Sequence, residues 1–401
     1  DRGAGAECMN PLFDTVIERR NTNSLKWNVE EDTIAMWVAD MDFRTAPCIQ
    51  KAMQNTAALG IYGYCEVPEA FYTSIQEWWR QEHCFAMERE WMMFSSGVVP
   101  AISSMVRRLT QPAEKVVVLS PVYNIFYNSI VNNGRRVLAS ELLYEGGTYE
   151  IDFIDLEQKL QDPLTTLMIM CNPHNPIGKI WSREELTQIN AFCRKHHVIV
   201  ISDEIHCDLC EPGKKYLPFA AVNASCLQNS ITCLSASKAF NLAGLQAACV
   251  VIADEGIRNR IWRGFHTDEV AEPNVFACEA TIAAWMEGKD WLKDLNHYIS
   301  ANKKTAQHYL KTQLPELHAV ESQATYLLWI DCHVLHPFVD QFCDFLHKEH
   351  GLLVSKGSAY GKSGEDFIRI NIACPNALMR TGLKRLSKGY RAFTKQFSEC
   401  R

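Results

Sequence analysis

The sequence predicts an α/β protein: a large domain on a doubly wound, mostly parallel mixed sheet sandwiched by helices, with a smaller α+β domain assembled from both chain ends. Three observations carry this. Short apolar runs bounded by turn or polar residues recur between residues 90 and 255. A helix-period segment separates two of them. Outside this region the pattern changes to amphipathic helices and alternating strands.

The runs, in order, are "KVVVLSP", "TTLMIMCNP", "VIVISDE", "SITCLSAS" and "AACVVIA". Their near-continuous hydrophobicity suits strands covered on both faces. Between the second and third lies "SREELTQINAFCRKHH". Ser182 and Glu185 make a capping box there, and Leu186, Ile189 and Phe192 share one helical face. Strand, helix, strand in this order predicts a right-handed βαβ unit. From residue 286 onward amphipathic helices give way to "AVESQATYLLWIDC", "GLLVSKGSAYG" and "DFIRINIAC", which alternate like half-exposed strands. The expected large domain spans residues 47–285, and residues 1–46 and 286–401 form the small one.

A chain of 401 residues, 47% hydrophobic, can bury two cores. Its formal net charge of -7 argues against nucleic acid as main partner, because phosphate binding needs a basic footprint. No run reaches the eighteen apolar residues of a membrane span, so no membrane partner is expected. The opening "DRGAGAECMNPLF" lacks the apolar core of a signal peptide. Residues 1–8, which precede Met9, read as an expression scar or processing remnant. The 16 cysteines are scattered through apolar runs, as expected for free thiols in a reducing cytoplasm. One C-x-x-C, Cys207 to Cys210, has no second pair to complete a zinc site, and no metal is expected.

Two nucleotide motifs fail. No G-x-G-x-x-G follows a strand. "GSAYGKS" (357–363) is one residue short of a P-loop and precedes a strand-like run where a helix is required.

What ends each central strand is more informative. Asp203-Glu204-Ile205-His206 follows one, Asn172 and Asn175 stand among prolines after another, and Ser237-Lys238 follows a third. Tyr123 comes just after Pro121, and "SSG" (95–97) opens the helical "VVPAISSMVRRL". Taken singly, Asp203 reads as a helix cap, Lys238 as a surface charge and Arg369 as half of a surface salt bridge. Together they put an acid, an amide, a lysine and an aromatic at the sheet edge where such folds bind ligands. A Gly-led helix N-terminus beside them suits an anion. Pyridoxal phosphate requires this set: a lysine for its aldehyde, a carboxylate for its ring nitrogen, a donor to its O3′, an aromatic on its face and amides at its phosphate.

The sequence resembles the fold-type I, aspartate-aminotransferase-like superfamily over nearly its whole length after Met9, and more closely the cystalysin/MalY/PatB group of C–S lyases. The segments that carry this are "WVADMDF" (37–43), "GIYGYCEVPEAF" (60–71), "SSGVVPAI" (95–102), "SPVYNIFY" (120–127), "NPHNPIGKIW" (172–181), "SDEIHCD" (202–208), "SASKAFNLAG" (235–244) and "FIRINIACP" (367–375). The resemblance implies that Lys238 carries the cofactor and serves as base at the substrate Cα. By the same resemblance Asp203 would pair with the ring nitrogen, Asn175 would bond O3′ and Tyr123 would stack on the ring, with His206 also at the cofactor. The Val98 and Val99 amides with Ser235 and Ser237 would hold the phosphate, joined by Tyr64 from a neighbouring subunit. Arg369 would clamp the substrate carboxylate, with Val38 and Asn175 beside it.

Two positions depart from the aminotransferase pattern and a third from that of some lyases. Gln246 stands where many carry a phosphate-gripping arginine, and His206 where they carry tyrosine. Asn124 stands where some lyases have a second tyrosine, so that departure does not identify the acid for the departing thiol; Tyr123 is the expected one. The expected activity is a homodimeric β-lyase with shared sites, cleaving L-cystathionine, L-cysteine or a related S-conjugate to pyruvate, ammonia and a thiol. The alternatives are an aminotransferase on the same scaffold, or a lyase that also acts as a regulatory binding protein.

Overall fold

The computed structural model describes residues 10–399; residues 1–8, read above as a remnant, lie outside the described residues. Seven strands form the main sheet: β1 (Met92–Ser95), β2 (Lys115–Ser120), β3 (Arg136–Glu141), β4 (Thr165–Cys171), β5 (Ile199–Asp203), β6 (Ser230–Leu234) and β7 (Ala248–Val251). Their spatial order is β1-β7-β6-β5-β4-β2-β3. Strands β2 to β6 pair in parallel, while β7 runs antiparallel to both β1 and β6.

The apolar runs become strands because both faces are covered. Residues of β2, β4 and β5 divide between two apolar clusters, one on each side of the sheet. Helix Arg183–Lys195 lies against one of these faces with Leu186, Ile189 and Cys193 buried. Its capping box forms as predicted: the Ser182 side chain accepts from the Glu185 amide, and the Glu185 side chain accepts from the Ser182 amide. Such a cap is worth about 1 kcal/mol.

A second sheet holds β8 (His318–Ala319), β9 (Leu327–Asp331), β10 (Ser355–Lys356) and β11 (Phe367–Asn371), all antiparallel in the order β8-β9-β11-β10. Helices Lys289–Gln313, Val339–His350 and Asn376–Glu399 accompany it, and Ile34–Ala35 pairs in parallel with Leu352–Leu353. The expected half-exposed alternation of β11 is not what is found: all five of its residues are buried. Ile368 and Ile370 face the largest core, while Phe367 stacks on Trp329 at 5.0 Å in another cluster. The polar residues on that strand are thus buried with work to do. Residues 357–364 fold into two short 3-10 turns between β10 and β11.

Candidate active site

The carboxyl ends of β4, β5 and β6 deliver three of the expected residues, and β11 brings a fourth across from the second sheet. Asp203 closes β5 and is buried; one carboxylate oxygen accepts from the Ile205 amide at 3.2 Å. Burial pushes its carboxyl up to about 7, against the opposing pull of that amide and of the Lys238 charge. Lys238 follows β6, half-buried, and its ammonium donates to the Ala39 carbonyl at 2.7 Å. Desolvation, then the nearby Arg369 charge, brings its amine down to about 8. Asn175, beyond β4, accepts from Arg369 Nη1 at 3.3 Å, and its carbonyl accepts from the Tyr123 amide at 3.1 Å.

Arg369 is not a surface salt bridge. It is 4% exposed, donates through Nη2 to the Trp37 carbonyl at 2.8 Å and lies over the Tyr360 ring at 5.0 Å. Its Nε is buried without a partner, a donor that an anion would satisfy. His206 is buried with Nδ1 also unpartnered; desolvation and the charges of Lys238 and Arg369 push it down to about 3, so it is neutral. Tyr123 is pushed the other way, to about 12, by burial and then by the Asp203 charge. Its phenol keeps its proton at neutral pH.

Helix Val98–Leu109 begins at Gly97, whose φ of 128° is open to glycine and rare for other residues; no side chain caps the helix. The Val98 and Val99 amides sit in its first turn, where no helical acceptor reaches them. Ser235 lies opposite in sequence order on the β6 loop: its hydroxyl donates to the Ala247 carbonyl at 2.6 Å and accepts from the Ser237 amide at 3.1 Å. Gln246 is exposed in a left-handed conformation. Tyr64 stands apart from this group, fully exposed on the loop before helix Glu69–His83.

Several residues that organise the site were assigned no role from the sequence, although Asn241, Asn371 and Glu204 fall within the segments that carry the resemblance. The segment Trp37–Phe43 is held through its main chain: Asn371 donates to the Val38 and Asp40 carbonyls, Tyr326 to Ala39, and Asn241 to Met41 and Phe43. Asn371 could have been found, since it lies two residues past Arg369 on one strand and so on the same face. Tyr326 gave no such signal. Glu204, next to Asp203, is fully buried and accepts from Ser202, Tyr216, Asn172 and the Phe219 amide.

The residues present fit pyridoxal phosphate. A buried carboxyl makes no ion pair among the described residues, a lysine of lowered basicity stands nearby, a helix N-terminus offers free amides, and Arg369 holds an unpaired N–H. A fold and site of this kind define a class of enzymes that transform amino acids. The chain belongs to the aminotransferase class I and II family, whose model matches residues 31–386. It is 38% identical over 380 residues to the cystathionine beta-lyase PatB of Bacillus subtilis, covering 93% of this chain and 98% of that protein. Cystalysin from Treponema denticola, solved with its pyridoxal 5'-phosphate, superposes with a TM-score of 0.92 at 29% identity, over 95% of this chain and 99% of that one. The PLP-bound C-S lyase from Staphylococcus hominis gives 0.89 at 31% identity, over 96% and 99%.

Proposed function

We propose that this chain is a pyridoxal-phosphate-dependent carbon–sulfur β-lyase that splits a cysteine S-conjugate, such as L-cystathionine, into a thiol, pyruvate and ammonia. The observation that carries the reading is full-length likeness to lyases: PatB, cystalysin and the Staphylococcus hominis enzyme each match more than nine-tenths of the chain. Bound in the site, the cofactor supplies an aldehyde for the substrate amine and a cationic ring that draws off the electron pair released at Cα.

The chain's own residues do the rest. Arg369 takes the substrate carboxylate on its unpaired Nε and a neighbouring nitrogen. Asn175 fixes that guanidinium from the sheet side. Lys238 anchors the cofactor and, once displaced by substrate, has an amine basic enough to lift the Cα proton yet substantially neutral near pH 8. Tyr123 retains a proton to give to the departing sulfur. The environment thus drives the base and the acid apart in pKa, the arrangement acid–base chemistry needs. Neutral His206 lines the site without adding a competing cation. The Val98 and Val99 amides with Ser235 and Ser237 receive the phosphate, and Val38 borders the substrate.

An aminotransferase on the same scaffold is the reading to exclude, and one assay does it. With L-cystathionine and no added keto acid, the enzyme should turn over many times, releasing pyruvate, ammonia and homocysteine in equal amounts. Arrest after one equivalent, relieved by a keto acid, would establish transamination instead.

We further propose a homodimer with shared sites. Tyr64 is fully exposed and Leu59, Ile61 and Tyr62 before it are exposed as well, an apolar loop that a second copy would cover. Mixing Lys238→Ala subunits with Tyr64→Ala subunits should restore activity, because one of the two sites in each heterodimer then has both residues. Full activity of a monomer would refute the shared site. No helix among the described residues is long and apolar enough to cross a membrane. The described cysteines are free, which supports a cytoplasmic setting.

A further inference from the structure

The C-x-x-C at Cys207 and Cys210 lacks a second metal-binding pair in the sequence, but folding supplies one. The turn after β5 carries Cys207 and Asp208 to the last residue of helix Glu69–His83. There one donor atom each from His83, Cys207 and Asp208 lie within 4.8 Å of one another. We propose that these three side chains form a binding site for a borderline-soft divalent cation of the zinc type, outside the cofactor site.

The three donors are gathered within 4.8 Å, near the spacing such an ion imposes. His83 Nε2 stands 2.7 Å from one Asp208 oxygen, and Cys207 Sγ stands 3.5 Å from the other. Tetrahedral zinc with ordinary bond lengths sets its ligand atoms about 3.3–3.6 Å apart. Seating one ion requires the His83 ring to back away from its carboxylate oxygen and the three donors, now within 4.8 Å of one another, to settle at that spacing. Imidazole, thiolate and carboxylate are zinc donors, and two anionic ligands neutralise a dication in a buried place.

Supporting contacts are already made. Trp78 Nε1 donates to the Asp208 carboxylate at 3.0 Å and orients it from outside, while Asn296 fixes the main chain there by donating to the Asp208 carbonyl at 2.8 Å. The His83 ring packs edge-on against Tyr216 at 4.8 Å, and Tyr216 is itself tied to Glu204. Three protein ligands leave a fourth position. Water can supply it, since the Cys210 thiol is turned onto the Cys207 carbonyl at 3.2 Å. Cys207 and Asp208 are almost fully buried, whereas the His83 side chain keeps 11% exposure and gives the ion its approach. Hydrogen bonding alone accounts for the His83 end of the carboxylate. It leaves the other end facing only a long thiol contact.

Binding balances as follows: the Cys207 thiol proton goes to solvent, the imidazole proton moves to Nδ1, and nitrogen, sulfur and oxygen lone pairs bind the ion. Affinity therefore rises with pH.

The test uses cofactor-loaded enzyme stripped of adventitious metal with a chelator. Cobalt(II) should give intense tetrahedral bands in the red, clear of the cofactor's absorption, and one equivalent of zinc should abolish them. Dialysed protein should retain one zinc per chain. Cys207→Ser and His83→Gln should each weaken zinc binding by more than the roughly 10–100-fold that losing an outer-shell partner costs. Cys84→Ser, an exposed thiol outside the cluster, should not. A faint octahedral cobalt spectrum in the unaltered enzyme would overturn the site, as would undiminished zinc in both variants. If the variants do not fold, the cobalt spectrum of the unaltered enzyme decides.

Discussion

Lys238→Ala should lower kcat by at least about 10,000-fold while leaving the fold intact. Two roles vanish together: the covalent anchor for the cofactor aldehyde, and the base at Cα. The side chain projects from a loop and makes one hydrogen bond, to the Ala39 carbonyl, which also accepts from Tyr326. Losing it therefore leaves no buried acceptor orphaned. The variant should hold the cofactor only non-covalently, so it washes out on dialysis. Borohydride reduction of the unaltered enzyme, followed by peptide mapping, should place the pyridoxyl label on Lys238; a label on any other lysine would sink the assignment.

The second large effect belongs to Asp203, and it depends on pH. Its carboxyl sits near 7 in the folded chain against 3.8 when free, because burial penalises the charge. Between those values the folded chain holds a proton that the unfolded chain has released. Folding stability of the cofactor-free protein should therefore fall as pH rises from about 4 to 7. Glu204, raised to about 7 mainly by burial, adds a loss of the same sign. For a complete shift of one such carboxyl the loss is up to roughly 4 kcal/mol. A cation against Asp203 reverses its share by favouring the ionised form. Melting temperatures of cofactor-loaded and cofactor-free protein should thus diverge as pH rises from about 4 to about 7. Asp203→Asn should make the cofactor-free profile shallower, leaving the share of Glu204, and cost about 100–1,000-fold in kcat, the scale of one lost electrostatic contact. Near-normal turnover in that variant would remove Asp203 from the chemistry.

Residues that met a local requirement were legible in the sequence. Strands buried on both faces announce themselves as apolar runs, and β2, β4, β5, β6 and β7 were found that way. The edge strand β3 was not, because its outer residues are solvated and its composition is mixed. β11 was found but misjudged. Alternation normally signals a solvent face, and here Arg369 and Asn371 turn inward to bond the Trp37–Asp40 main chain. The site residues were readable where they end a strand, as Asp203 and Lys238 do. Contacts between distant segments were not: Tyr326 lies 287 positions from Ala39, and His83 lies 125 from Asp208. Nothing local in either stretch anticipates its partner.

The way Trp37–Phe43 is secured has a consequence for how this enzyme could change its substrate. The carboxylates of Asp40 and Asp42 anchor one end of that segment, but around Val38 the side chains that grip it, from both halves of the molecule, grip carbonyl oxygens. Any residue can present a carbonyl, so the side chain of Val38 takes no part in fixing the path of the chain. Exchanging Val38 for a smaller or larger residue would reshape the space next to the substrate. Lys238 and Arg369 would meanwhile stay in register, because both are measured off the same stretch of backbone. New leaving groups could be admitted there one substitution at a time, without first dismantling the apparatus that breaks the bond.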